Sequence, residues 1–223
     1  MRFRSRRAAR GDNPEEPALA PGEAAADDAA ANVVSPRADG PWDESEVDDP
    51  REGRVDLGGM LIRPREGVEL RLQIDQQSGA LVSTMLAAHD GAVELRAFAA
   101  AKGVDMWDQA RLEIAEQMRR QGSVVTEHDG AYGVELHIEQ PVDVQGKAMI
   151  QPSTMVGISG PRWILRATFF GKYASDPAGD SDLVAAMRDT VVVRGAGAMS
   201  PGEGIPLRMP PDVELEQVKV HQP

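Results

Sequence analysis

Residues 157–171 are the segment that most constrains the fold of this chain. Gly160-Pro161 predicts a turn, and a run rich in β-branched and aromatic residues follows it as far as Gly171. Apolar side chains lie on both faces of this run: Trp163, Leu165 and Phe169 on one, Ile164 and Phe170 on the other. Such a strand is typical of the centre of a sheet that is covered on both sides. We therefore expect a central strand here.

Other segments predict the rest of the sheet, and in residues 68–75, 93–99 and 132–138 apolar and polar residues alternate. These strands are residues 60–62, 68–75, 81–88, 93–99, 124–126, 132–138 and 148–158. We expect hairpin turns at His89-Asp90-Gly91 and His128-Asp129-Gly130. Pro141 is expected to end one strand and Pro152 to interrupt another, because proline cannot donate a backbone hydrogen bond.

Two helices interrupt this strand pattern. Apolar residues recur at helical spacing from Trp107 to Met118, with Asp105 as the predicted N-cap and Gly122 as the stop. A second helix is expected after Asp180 or Ser181. The order of elements predicts an α+β fold, with a single antiparallel sheet of about seven to eight strands packed against two helices. Residues 205–210, which are rich in proline, are expected to lie as an extended strap on the domain.

Composition divides the chain into three parts. Residues 1–53 are predicted to be a disordered tail, with five arginines in the first ten positions and then thirteen acidic residues against two arginines. Residues 54–210 are predicted to be a single α+β domain and residues 211–223 a loose C-terminal tail. Trp42 stands alone in the polar tail, which suggests a docking point on the domain or on a partner.

The charge and the missing residue types exclude several classes of protein. The 223-residue chain has a net charge of −12 and no cysteine, so disulfides, thiol catalysis and cysteine-ligated metals are excluded. No apolar run approaches the length of a membrane span, and the basic start lacks the apolar core of a secretory signal. We therefore expect a cytoplasmic protein. Residues 54–223 carry 23 acidic and 17 basic residues, which disfavours nucleic-acid binding by the domain.

Few residues suggest chemistry. His137 alternates with Glu135 and Glu139, a ladder that could bind a metal but that also suits a solvated strand face, and the second interpretation is preferred. Ser159 lacks the strand–nucleophile–helix context of a hydrolase serine, and no phosphate-binding glycine loop is present. We expect neither a metal nor a cofactor. Arg162 and Arg166 share a face of the central strand, where they either contact an anion or pair with Glu135 or Glu139.

Several blocks of the sequence are similar to those of a known family. They include Gly40-Pro41-Trp42-Asp43, the more specific Gly160-Pro161-Arg162-Trp163 and Pro206-Leu207-Arg208-Met209-Pro210. The chain resembles an actinobacterial family of conserved proteins, described only as a domain of unknown function and often encoded near a dUTPase. The resemblance implies no activity, cofactor or catalytic residue. The order of strands and helices also resembles the Mog1/PsbP-like fold and the type III secretion chaperones.

Three hypotheses about function follow. The first is a non-enzymatic protein-binding or scaffold protein, chaperone-like, that recognises a protein partner through exposed sheet or through its tail. Its candidate binding residues are Arg162, Arg166, His137 and Trp42. The second is a hydrolase of a small phosphorylated or nucleotide-like substrate, with Arg162, Arg166 and His137 as its polar cluster. The third is nucleic-acid association through the arginine-rich tip at residues 1–10.

Overall fold

A computed structural model describes residues 37–74 and 79–210, and the backbone of residues 218–221. The described strands are β1 (Trp42–Asp43), β2 (Val55–Asp56), β3 (Met60–Ile62), β4 (Glu69–Ile74), β5 (Leu81–Ala88), β6 (Gly91–Ala99), β7 (Val124–Gly130), β8 (Gly133–Val144), β9 (Lys147–Ser159), β10 (Trp163–Gly171), β11 (Val191–Val192) and β12 (Val218–His221). The α-helices are α1 (Trp107–Arg120) and α2 (Asp182–Arg188).

Eight strands form a large sheet in the order β12-β4-β5-β6-β10-β9-β8-β7. All neighbouring pairs are antiparallel except β12 and β4, which run parallel. Strand β10 lies inside this sheet between β6 and β9, and its Trp163, Leu165 and Phe169 are fully buried. Ile164, on its other face, belongs to a separate apolar cluster. The prediction of a central strand that is apolar on both faces is confirmed.

Helix α1 covers one face of the sheet at β7, β8 and β9. Its buried Trp107 and Ala115 pack against Leu136 and Ile138 of β8, as its helical apolar pattern predicted. Met106 is the N-cap residue, but the Asp105 carboxylate still accepts a hydrogen bond from the Trp107 N–H at 2.9 Å. This hydrogen bond satisfies a free donor in the first turn of the helix.

The opposite face of the large sheet carries the main core. Helix α2 starts after Ser181, whose hydroxyl oxygen accepts a hydrogen bond from the Val184 N–H at 3.2 Å. Its buried residues pack with those of β4, β5, β6 and β10 and with a second sheet, ordered β1-β11-β3-β2. The prediction of a single sheet is therefore wrong. Residues 60–62 were predicted as a strand, but a sequence does not show that strands of two or three residues pair into a sheet of their own.

The predicted boundary at residue 54 is also wrong, because residues 37–53 belong to the fold. β1 pairs with β11 in parallel, and the Asp43 carboxylate accepts a hydrogen bond from the buried Trp163 indole N–H at 2.7 Å. Arg37 forms an ion pair with Glu46. These polar contacts hold a segment that has few apolar residues. Residues 1–36 lie outside the described residues, so the predictions for them stay predictions.

At the other end of the chain, Ile205 is buried in the main core and its N–H donates to the Ala97 carbonyl at 2.9 Å, so the strap prediction is confirmed there. The predicted loose tail is wrong for residues 218–221, whose backbone pairs with β4. Residues 211–217, 222 and 223 lie outside the described part.

Two prolines lie inside strands that they were predicted to end or interrupt. Pro141 pairs with Ile150 within β8, and Pro152 pairs with Glu139 within β9. The β7 pairing of β8 stops at Glu139, so Pro141 has a strand neighbour on one side only and its missing N–H breaks no second ladder. The predicted turn at 128–130 is likewise the end of β7.

In the described part of the chain, no helix is long and apolar enough to cross a membrane.

Candidate functional site

The structure separates the residues that the sequence suggested as a polar cluster. His137 pairs with Thr154, which pairs with Phe169 of β10, whereas Arg166 pairs with Gly157. Paired residues share a face of a sheet and successive residues alternate, so His137 and Arg166 lie on opposite faces. The three-residue cluster of the hydrolase hypothesis is not assembled.

Glu135 and Glu139 lie on the same face as His137 and therefore on the opposite face from Arg166. The predicted ion pairs between these carboxylates and Arg166 are not formed. Strand β9 also separates β8 from β10, so the two groups are not on neighbouring strands. The predicted ion pairs required β8 and β10 to be neighbouring strands, and strand order is the feature that a single sequence shows least.

His137 lies instead beside His128, with the two ring centroids 4.2 Å apart. The Oε2 atom of Glu135 is 3.9 Å from the Nε2 atom of His137. Burial raises the pKa of Glu135, although hydrogen bonds from backbone N–H groups oppose this rise. Burial lowers the pKa of His137, and the nearby His128 lowers it further. In the described residues, no group of three or more histidine or acidic side chains is arranged to hold a metal.

Ser159 and Trp42 have structural contacts. The Ser159 hydroxyl donates a hydrogen bond to the Asp105 carboxylate at 2.9 Å, which joins the end of β9 to the start of α1. Trp42 is half-buried in β1, and its N–H donates to the Thr190 carbonyl at 2.9 Å. Arg162 is exposed at the turn before β10, and among the described residues its side chain has no ion-pair or hydrogen-bond partner.

Arg166 lies directly opposite Arg96 of β6 in the β6–β10 ladder. The guanidinium carbons of these two side chains lie 5.7 Å (Arg96) and 5.4 Å (Arg166) from the centroid of the Phe98 ring. In the described part of the chain, neither guanidinium forms a hydrogen bond or an ion pair within the distance limits of such contacts. Arg96 and Phe98 were not predicted as site residues, since only the register of two strands about seventy residues apart brings them beside Arg166.

These residues lie on a part of the sheet that neither described helix covers. Helix α1 extends over β7, β8 and β9, while α2 packs on the opposite side of the sheet. Over β4, β5 and β6, and over β10 beyond Ile164, no described helix packs on the side that faces the same way as α1. We call this surface the open face, and its half-buried side chains include Arg71, Met85, Glu94, Arg96, Phe98 and Arg166.

On the open face, the positive charges of Arg96 and Arg166 are destabilised by mutual repulsion, and that of Arg166 also by burial. Like charges placed directly opposite each other on neighbouring strands destabilise a sheet. Burial lowers the pKa of Arg166 below its ordinary value, the charge of Arg96 lowers it further, and Glu94 opposes both effects. The Phe98 ring offers both cations a favourable electrostatic contact. The arrangement can therefore accept an anion between two guanidinium groups above an aromatic ring.

A concave pocket is a common sign of an enzyme site. A shallow depression of about 460 Å³ is lined by Asp49, Pro50, Arg51 and Glu52, and it contains none of the residues that the sequence suggested. The open face instead spans four neighbouring strands of the sheet, and an extended surface of this kind suits a macromolecular partner better than a small substrate.

Comparisons with known proteins identify one family. A family model described as "Protein of unknown function (DUF3710)" matches residues 40–216. No curated protein and no solved structure matches the chain significantly.

Proposed function

The chain belongs to the DUF3710 family, and we propose that it is a non-enzymatic cytoplasmic protein that binds an acidic segment of a partner protein at the open face. The observation that carries this proposal is the directly opposed pair Arg96 and Arg166, which has no anionic partner within ion-pair distance among the described residues. A carboxylate from a partner would supply that missing charge.

The chemistry of the pair favours a carboxylate on a protein. Guanidinium groups present planar sets of N–H donors that match carboxylate oxygens, and the pair is half-buried, so water screens the contact less than on a fully exposed surface. Phe98 and Met85 provide apolar area beside it. Arginine, methionine and aromatic residues are the types enriched in protein interfaces, while Glu94 would repel an anion that approached from its side.

A chaperone-like or scaffold role fits the same surface. The order of strands and helices resembles Mog1/PsbP-like domains and type III secretion chaperones, and this likeness supports a binding role by analogy alone. The open part of a sheet next to a helix offers a partner an extended surface with an apolar margin, since Phe98 also packs against the cluster under α1. We infer that the partner lies along β6 and β10.

Affinity capture with the full chain tests this proposal. The baits are the native protein, Arg96→Met, Arg166→Met and the control Arg120→Met, in which an exposed arginine of α1 loses only a 3.8 Å contact with Glu116. We expect a partner captured by the native bait and by the control, with at least about tenfold less captured by either open-face variant, since a charged hydrogen bond contributes about 1.5–3 kcal/mol. Equal capture by all four baits would contradict the proposal.

A stability measurement separates this role from a structural one. Methionine keeps the apolar stem of arginine above Phe98 but removes the charge, so either open-face variant relieves the repulsion between Arg96 and Arg166. We expect equal or higher free energy of unfolding in urea, by up to about 1 kcal/mol. A loss of 1 kcal/mol or more in both variants would mean that the pair stabilises the fold, and the proposal would lose its basis.

A further inference from the structure

A second arginine cluster lies on the other side of the large sheet, beside the small sheet. Arg54 precedes β2, Arg63 and Arg65 follow β3, and all three reach Asp189, the C-cap residue of α2. The Oδ1 atom of Asp189 is 3.1 Å from Nη2 of Arg54, and its Oδ2 atom is 3.1 Å from Nε of Arg63 and 3.6 Å from Nη2 of Arg65. We call these four residues the arginine cluster.

The arginine cluster holds more positive charge than Asp189 can neutralise. Three guanidinium groups share one carboxylate, which leaves a formal surplus of two charges. The Arg54 side chain is only 5 % exposed, so this residue alone would suffice as the buried counter-ion of Asp189. A structural ion pair therefore does not account for Arg63 and Arg65, which repel each other and Arg54.

The cluster also has more donors than acceptors. The Nε atoms of Arg54 and Arg65 are buried and have no hydrogen-bond partner among the described residues. A buried donor without an acceptor is unfavourable by about 1–3 kcal/mol. One further acceptor is the Pro50 carbonyl, which is 3.1 Å from Nη1 of Arg54. An incoming group with several acceptor oxygens would bind the exposed nitrogen atoms of Arg63 and Arg65 and neutralise the surplus charge.

The geometry keeps the cluster in place and open to solvent. Gly53 has a φ of +63°, and a Cβ atom at this position would lie 2.9 Å from Nη1 of Arg63, so the glycine leaves room for that guanidinium. The side chains of Arg63 and Arg65 are 41 % and 34 % exposed. A ligand can therefore reach these two arginines from solvent, while their ion pairs with Asp189, which also pairs with the buried Arg54, keep them in position.

We propose that the arginine cluster binds the phosphate group of a small-molecule phosphate monoester. The two negative charges of such a group match the surplus of the cluster, and arginine binds phosphate oxygens through paired N–H groups. A carboxylate ligand would supply half of that charge. This site is independent of the open face, because it lies on the opposite side of the large sheet and shares none of its residues.

Side-chain NMR of the full chain tests the proposal. The arginine Nε–H signals are followed while glycerol 3-phosphate or inorganic phosphate is added, with sodium chloride at equal ionic strength as the reference. We expect saturable shifts of the Arg63 and Arg65 signals with glycerol 3-phosphate, and binding at least about tenfold weaker in Arg65→Gln, because a charged hydrogen bond is lost. Arg65→Gln and the control variant are first shown to unfold cooperatively in urea.

The matched control is Arg120→Gln. Arg120 of α1 is 69 % exposed and lies 3.8 Å from Glu116, so its substitution removes one positive charge from a part of the surface outside both proposed sites. We expect this variant to bind glycerol 3-phosphate as the native protein does. The proposal is overturned if the shifts with glycerol 3-phosphate are no larger than with sodium chloride, if both variants lose binding equally, or if inorganic phosphate alone binds. Arg63→Gln provides a second variant if Arg65→Gln does not fold.

Discussion

Two buried threonines should respond in opposite ways to the same substitution. Thr84 of β5 and Thr154 of β9 are 0 % and 1 % exposed, and both point toward the main core. The Thr154 hydroxyl donates a hydrogen bond to the Ala174 carbonyl at 2.5 Å. The Thr84 hydroxyl is buried and has no hydrogen-bond partner among the described residues. Valine has the same shape as threonine, so the substitution changes only the hydroxyl group.

The expected magnitudes follow from these two environments. A hydroxyl that is buried without a partner is unfavourable by about 1–3 kcal/mol, so Thr84→Val is expected to raise the free energy of unfolding by about 1 kcal/mol. Thr154→Val removes a hydrogen bond and leaves the Ala174 carbonyl without its partner. We expect this variant to lower the free energy of unfolding by about 2 kcal/mol. Both residues are β-branched before and after the change, so strand propensity is constant.

Urea unfolding followed by tryptophan fluorescence measures both effects, and the dependence of the free energy on urea should be unchanged because neither variant alters the buried surface. Each substitution is the control of the other, since the chemical change is identical. If both variants change the free energy of unfolding in the same direction by more than about 0.5 kcal/mol, hydrogen bonding does not decide whether the substitution stabilises or destabilises the fold. The prediction is then refuted.

Three further predictions concern packing, a polar anchor and pH. In Gly157→Ala, the new Cβ atom would lie 2.3 Å from the Trp107 ring. We therefore expect the free energy of unfolding in urea to fall by about 1–3 kcal/mol and the NMR signal of the Trp107 indole N–H to shift. An unchanged urea midpoint would contradict this prediction. Asp43→Ala leaves the buried Trp163 indole N–H without its acceptor and should lower the free energy of unfolding by about 2 kcal/mol, whereas an unaltered Trp163 indole signal would argue against the contact. Burial raises the pKa of Glu135 above 4.5, so its ionisation destabilises the fold increasingly as pH rises from 4.5 through the folded pKa. The melting temperature of Glu135→Gln minus that of the native protein should therefore grow over this window, and a constant difference would refute the shift.

The long elements of the fold could be predicted because their patterns are local. The two apolar faces of residues 163–171 and the helical spacing of Trp107, Ile114 and Met118 each arise within one element. Residues 60–62 were predicted as a strand, but their place in a second sheet was not, because partner strands such as Val191–Val192 span only one β repeat. Residues 37–53 have the composition of a disordered tail, yet single polar contacts such as that between Asp43 and Trp163 join them to the domain.

The candidate sites depend on pairings that a single sequence does not show. Arg166 stood out because it lies in the most apolar segment, but its partner Arg96 lies in β6 and becomes its neighbour only through the register of the ladder. His137 was grouped with Arg166 as one polar cluster, but β9 lies between their strands and the two side chains are on opposite faces of the sheet. Arg54 and Asp189 are 135 residues apart, and no local pattern connects them.

The net negative charge of the domain gives no indication of either arginine site. Residues 54–223 carry a surplus of acidic residues, and by that count the domain has no preference for anions. However, the potential that a ligand meets is set by the charges within about one Debye length, roughly 8–10 Å at moderate salt. The charges of Arg96 and Glu94 act on Arg166, and three arginines share Asp189. An acidic surface around two small basic sites would repel most anions and admit only those whose charged group fits between the arginines, so the overall charge of the chain would add selectivity to both sites.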